Sequence, residues 1–333
     1  MRVADRRQVA AAARATGVLT LLERLPHRRG LVVLNYHRVG SVADNPFDDS
    51  TFSADVETFR KQLACLQRRF DLPALPAVLD AVERRRFDAP TAVVTFDDGY
   101  KDNYELALPV LRELGVPAVF FIVSDYLDRP LLPWWDRVAF IVKRTRRETL
   151  ELGYPETLRF DMRTARRDRV TWRILRACKD ARPFDRALFF DELEARAEVA
   201  ADPVALGRQL FMSPDHVRGL SQSGMAIGSH TASHPVLAAL SEDEQRVELR
   251  RSRERLAEVV GTPPDTLAYP VGGPTAFTAA TKRLAREAGY RAAFCFFGGL
   301  NRQDALDPYA LCRVGVSREE TFAQFRLRLA LAR

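Results

Sequence analysis

Two adjacent carboxylates, Asp97 and Asp98, close the apolar run Thr91 to Phe96, and two imidazoles, His230 and His234, follow a second run ending at Ser229. Histidines at that spacing can bring both rings to one metal where the segment coils into a turn, and a carboxylate from another strand end completes a facial set with positions left for water. A carboxylate beside the metal but not consumed by it can take the water's proton. Asp97-Asp98-Gly99 can also be read as a turn that caps the helix starting near Asp102. A third histidine, His37, ends the run Leu31 to Tyr36, so it stands at a strand end as Asp97 does.

Such groups meet only if their strands end on one face. Short apolar or β-branched runs bounded by Gly or Pro predict strands at 31–37, 91–96, 117–123, 225–230, 266–269, 292–297 and 313–316, with a weak one at 70–75. Helical patterns begin near Ser53 and fill 77–86, 103–114, 242–260, 277–288 and the segment from Glu319 onward. The β-α alternation predicts a parallel sheet or barrel, which carries its active site at the C-terminal ends of the strands. The rhythm stops from 124 to 224, a charged, helical-looking stretch with no convincing strand. We read 125–224 as an insertion or lid between barrel segments 31–124 and 225–333. Lys143 to Arg186 holds fourteen basic and seven acidic side chains, which suits either a solvated helical face or a lid that meets an anionic partner. Trp134 and Trp135, after Pro133, could stack on a sugar ring or anchor the insertion.

Thr95-Phe96-Asp97-Asp98-Gly99 followed by His230-Thr231-Ala232-Ser233-His234 resembles the first two motifs of the polysaccharide deacetylase family, carbohydrate esterase family 4, also called the NodB-homology domain. The resemblance implies a deformed (β/α)7 TIM-like barrel with a divalent metal, most often Zn2+ with Co2+, Mn2+ or Ni2+ as alternatives. It implies that Asp98, His230 and His234 hold the metal and that Asp97 is the general base. In much of the family the acid is a histidine in a late Leu-x-His motif, and no histidine follows His234 here. Asn35-Tyr36-His37-Arg38-Val39 is similar to the corresponding segment of the permuted branch, where the acid histidine precedes the paired aspartates, so His37 is the expected acid. The third motif keeps Pro270, but Ala268 stands where its Arg is expected. Val271 can still offer a backbone N–H to a tetrahedral oxyanion, and Arg313 is the expected substitute partner of Asp97. The fourth motif, an Asp and Trp pair, has no counterpart in Phe294 to Gly299, whose aromatics either line a pocket or fill the barrel.

The totals fit a folded enzyme. The chain has 333 residues, 47% of them hydrophobic, and a formal charge of +7 carried by 46 Arg and five Lys. That excess allows an anionic partner, although the Arg bias argues against reading each one as a phosphate ligand; no nucleic acid is expected. Cys65, Cys178, Cys295 and Cys312 have no metal spacing and suit a reduced compartment. Residues 1–30 are basic, and Val18, Leu21, Leu22 and Leu25 share a helical face, which suits a helix packed on the domain or one lying on an anionic membrane surface. With no secretion signal evident, the expected location is cytoplasmic or peripheral at the cytoplasmic membrane face. His27 and His216 carry no motif and are expected to be structural or on the surface. The expected activity is removal of N-acetyl groups from an amino-sugar polysaccharide or glycoconjugate. Its rivals are deformylation or deacetylation of a lipid-linked sugar and a non-catalytic carbohydrate-binding barrel.

Overall fold

β-Branched and aromatic runs fit a pleated, half-buried surface, and twelve strands form among the described residues, 3–25, 29–181 and 184–331, of this computed structural model. They are β1 Gly30–Tyr36, β2 Arg38–Val39, β3 Phe52–Ala54, β4 Pro90–Phe96, β5 Ala118–Ile122, β6 Thr149–Leu152, β7 Leu158–Asp161, β8 Ala226–Ser229, β9 Thr266–Ala268, β10 Ala292–Phe294, β11 Leu300–Arg302 and β12 Val314–Gly315. The main sheet runs β10-β9-β8-β5-β4-β1-β11, and β12 also pairs with β1. Its pairs are parallel except β1 with β11. This is an α/β sheet curled into a half-barrel, the deformed (β/α)7 architecture.

Register explains where the polar groups emerge. Every residue of β1 is buried, as in a parallel sheet covered on both faces. β1 and β4 pair without a slip from Gly30 opposite Pro90 to Tyr36 opposite Phe96. The next residues, His37 and Asp97, therefore leave the sheet side by side. β5 pairs with β8 up to Ile122 opposite Ser229, and His230 continues from that end by donating its N–H to the Ile122 carbonyl at 2.8 Å.

The chain divides into two compact units. One contains the described residues of Met1–Gly40, Phe52–Asp128 and Phe211–Arg333; the other is Ser41–Thr51 with Arg129–Leu210. The second unit corrects one expectation, because the supposedly strandless stretch contains the antiparallel hairpin β6-β7. Its alternation is short and masked by charge: Leu150 and Leu152 point inward while Thr149 and Glu151 face out. The unit has its own core around Val138, Ile141, Ile174, Phe189 and Leu193, and Trp134 and Trp135 pack against it.

Three smaller differences have local causes. Phe70 to Leu75 forms only a bridge from Asp71 to Thr91, since Pro73 lacks the donor a strand needs. β11 was not foreseen, because Leu300-Asn301-Arg302 has too little apolar pattern to announce a strand. Asn103 opens its helix in a wide π-turn, Asn103–Ala107, before regular helix from Leu108. At the N-terminus, helices Val3–Ala15 and Val18–Arg24 pack on the last helix, Phe322–Leu331. Glu23 there pairs with both Arg69 and Arg326. His27 lies outside the described residues.

Candidate metal centre

Asp98, His230 and His234 converge at the C-terminal ends of β4 and β8. The Nε2 atoms of both histidines stand 3.4 Å from the same oxygen, Asp98 Oδ1. One donor atom from each of the three lies within 4.8 Å of the others. Ligand bonds of about 2.1 Å at tetrahedral angles separate donors by about 3.4 Å, so the two Nε2–Asp98 Oδ1 separations match donors sharing one ion. His230 is oriented from behind: its Nδ1 lies 2.8 Å from the Ala268 carbonyl, which turns Nε2 towards Asp98. Thus Ala268, which lacks the expected Arg side chain, contributes a backbone oxygen instead. Burial alone would raise the Asp98 carboxyl, but hydrogen bonding to both histidines holds it well below the usual range. His230 is raised: burial works against its charged form but is outweighed by Asp97 and Asp98.

Asp97 faces a different partner. The Arg313 guanidinium, whose side chain is 0% exposed, donates from its two terminal nitrogens to both Asp97 oxygens at 2.7 and 2.8 Å. Nε of Arg313 donates to the Cys295 carbonyl at 2.9 Å, and one terminal nitrogen also donates to Asn35 Oδ1 at 3.2 Å. Asn35 in turn donates from Nδ2 to Asp97 Oδ2 at 3.1 Å. Burial would raise Asp97, yet the charges of Arg313 and His230 and the Arg313 hydrogen bond keep it lowered. Asp97 is therefore ionised, fixed in direction and 4.0 Å from His230 Nε2. Two neighbouring aspartates thus have separate surroundings: Asp98 faces imidazoles and Asp97 faces guanidinium and amide.

His37 is half-buried between β1 and β2, and its charge contributes to the lowering of both aspartates. Its carbonyl accepts from Asn103 Nδ2 at 2.6 Å and its N–H donates to Ser53 Oγ at 3.0 Å, which pins the backbone behind the ring. The His37 ring lies 6.0 Å from the Phe296 ring. Phe296 donates its N–H to the Gly272 carbonyl at 2.7 Å, so the Tyr269 to Gly272 loop and the Phe296 loop form one wall. Val271 is 62% exposed on that wall.

Four of the seven non-glycine residues with positive φ among those described are at this mouth: Asp98 at 72°, Thr231 at 65°, His234 at 64° and Val271 at 62°. Thr231 and Val271 are the most strained chemically, since a β-branched side chain rarely takes such a φ. Val271 is the centre of a tight turn closed by the Gly272 N–H on the Pro270 carbonyl at 2.6 Å.

The structure therefore gathers Asp97, Asp98, His230, His234, His37 and Arg313, with Val271 tied in through backbone. Of the aromatics at the fourth-motif position, Phe294 is buried while Phe296 and Phe297 are partly exposed. His216 lies elsewhere: its Nδ1 accepts from the Ser213 N–H at 3.1 Å in a helix cap. Asn35 and Glu248 were not foreseen. Asn35 had a signal, a polar residue inside the apolar run of β1. Glu248 had none, being one of many charges in Glu242–Val260.

A family model described as polysaccharide deacetylase matches residues 84–293. A poly-β-1,6-N-acetyl-D-glucosamine N-deacetylase of Escherichia coli is 31% identical over 107 residues, 32% of this chain; the match spans only 15% of that relative's length. Among solved structures, a Streptococcus pyogenes deacetylase in complex with acetate aligns with a TM-score of 0.58 at 16% identity, covering 92% of this chain and 99% of its own. IcaB from Ammonifex degensii aligns at 0.56 and 20% identity, covering 91% and 97%. At these identities the structural likeness is one of fold.

Proposed function

The chain belongs to the polysaccharide deacetylase family, and from that premise we propose that it is a metal-dependent hydrolase removing N-acetyl groups from an N-acetylglucosamine-type polysaccharide or glycoconjugate. One observation carries the reading: two adjacent aspartates in separate environments, Asp98 with the histidine pair and Asp97 with Arg313.

Asp98, His230 and His234 would hold the ion, with zinc favoured by the two-nitrogen, one-oxygen donor set. A divalent ion there supplies an acidified water and polarises the acetyl carbonyl. Asp97 accepts the water's proton, and the fork of Arg313 keeps one rotamer so that this proton has a fixed destination. As the water oxygen bonds to the carbonyl carbon, negative charge grows on the carbonyl oxygen. The Val271 backbone N–H is the donor we assign to that charge. The amide nitrogen leaves only if protonated, and His37, across the strand end from Asp97, gives it a proton as the C–N bond breaks. Acetate and a free amino sugar result.

For location, exposed Val18, Leu21 and Leu25 beside Arg14 and Arg24 support peripheral attachment to an anionic membrane face. A lipid-linked or membrane-proximal glycan is the substrate form this would favour.

The test is release of acetate, and separately of formate, from chitooligosaccharides, β-1,6-linked N-acetylglucosamine oligomers and peptidoglycan fragments, with metal removed and then restored. Metal-dependent acetate release supports the proposal. A zinc-loaded, folded protein that releases neither acid from any of them sinks it in favour of a binding barrel.

A further inference from the structure

We propose that Glu248 is a positioning residue of the metal centre, the carboxylate that holds the His230 to His234 turn in ligand-ready shape; this rests on the metal-centre reading above. The turn is not self-supporting. Thr231 and His234 both have left-handed φ, a strained state for a non-glycine residue that persists only when surroundings impose it. Within the turn, Thr231 N–H donates to Ser229 Oγ at 3.2 Å and His234 N–H to Thr231 Oγ1 at 3.1 Å. From the end of β5, the Ser124 and Asp125 N–H groups reach the Thr231 and Ala232 carbonyls at 3.2 and 2.9 Å. These bonds hold the Thr231 and Ala232 carbonyls and the Thr231 and His234 N–H groups.

The N–H groups of Ala232 and Ser233 are held by one side chain. Glu248 Oε2 accepts from the Ala232 and Ser233 N–H groups at 3.0 and 2.8 Å, and Oε1 accepts from Ser233 Oγ at 2.7 Å. Ala232 and Ser233 separate the two ligands along the chain, so the carboxylate acts on the part of the backbone that determines how far apart the rings stand. Those rings have centroids 4.9 Å apart at 69°.

The helix that delivers Glu248 is built for this. Glu242–Val260 opens with a Ser241/Glu244 capping box, and its buried stripe reads Gln245, Glu248, Leu249, Ser252, Leu256, Val259. The spacing is that of one helical face. Three of these six residues are polar: besides Glu248, Ser252 bonds Ser229 at the end of β8 at 2.7 Å, while Gln245 bonds away from the turn, to the Leu240 carbonyl and Thr281. Glu248 is 9% exposed, and the three donors it receives are neutral groups of the turn. A buried carboxylate satisfied by three donors from one turn ties helix, turn and ligand pair into one rigid piece.

The experiment measures the zinc dissociation constant by competition with a chromophoric chelator, alongside the melting temperature of the metal-free protein. Glu248→Ala is expected to weaken zinc binding by about ten- to a hundredfold, the usual effect of removing an outer-shell support. Glu248→Gln keeps an acceptor for both amides and recovers most of that affinity. Ser233→Ala, which loses only the hydroxyl bond, falls between Glu248→Ala and wild type. Gln245→Ala, on the same stripe, lowers the melting temperature and leaves zinc affinity unchanged. Wild-type affinity in Glu248→Ala, whatever its melting temperature, overturns the proposal, as does an equal loss in Gln245→Ala. If Glu248→Ala does not fold, Ser233→Ala decides, and unchanged affinity there overturns it too. Folded wild-type protein that takes up no zinc overturns instead the metal-centre reading beneath it.

Discussion

Replacing Arg313 by Met removes the charge that faces Asp97 while filling nearly the same volume. The pair is fully buried and joined by two charge-assisted bonds of 2.7 and 2.8 Å. Unit charges about 4 Å apart attract by about 4 kcal/mol at an effective dielectric near 20. Removing one partner of a buried pair costs about 3–5 kcal/mol, so the two routes agree. Asn35 keeps its bond to Asp97 in the variant, which sets the expected loss near the lower end, about 3 kcal/mol at neutral pH. In a unit of this size that is a fall of about 6–12 °C in melting temperature. The pH dependence gives the sharper reading. In the wild type Asp97 is lowered, so its contribution is present above the unfolded carboxylate range and is lost as pH falls through the folded value. In Arg313→Met, burial is no longer opposed by the guanidinium, the carboxyl rises, and the variant loses stability as pH increases. The deficit is therefore large near pH 8 and shrinks towards about pH 4. The assay is thermal unfolding of the metal-free proteins across that range, with the acid limb of kcat/KM expected to move to higher pH. Equal deficits at both ends of the range, or a fall of under about 2 °C at neutral pH, would refute the reasoning.

Other perturbations separate the roles of the remaining groups. Asp97→Asn should keep stoichiometric metal while kcat falls about 10²- to 10⁴-fold, whereas His234→Ala should lose metal itself; equal metal content in the two would remove the division between the aspartates. His37→Gln should lower kcat by about 10²-fold with zinc affinity unchanged, and an undiminished kcat would take the acid role away from His37. Apparent zinc affinity should fall with decreasing pH, because the raised His230 retains its proton to higher pH and competes with the ion; chelator competition at several pH values reads this directly. Leu21→Asp with Leu25→Asp should abolish co-sedimentation with phosphatidylglycerol vesicles without changing turnover of a soluble oligosaccharide, and retained sedimentation would rule out this helix as the membrane contact.

Much of the fold was legible because its signals are local. The strands 91–96, 117–123 and 225–230 are apolar runs with clear stops, and they appear within a residue or so of their expected bounds. What failed was also local in origin: the β6-β7 hairpin has four-residue strands diluted by charge, and β11 has no apolar pattern at all. Strands that short are defined by the partner they find rather than by their own residues.

The sequence alone determined which groups come as neighbours. Asp97 and Asp98 are adjacent and His230 and His234 share one turn, so their chemistry travels with a few residues of chain. The tertiary structure decided what each of them faces. Arg313 reaches Asp97 from 216 residues away, Asn35 from 62, and Ala268 lends His230 a carbonyl from 38 residues on. Parallel register brings those positions together, and register is a property of the assembled sheet. Arg313 was expected there from its place on a predicted strand, since a guanidinium needs only the right end point in space and any strand can supply it, but the two-toothed contact with Asp97 exists only in the assembled sheet.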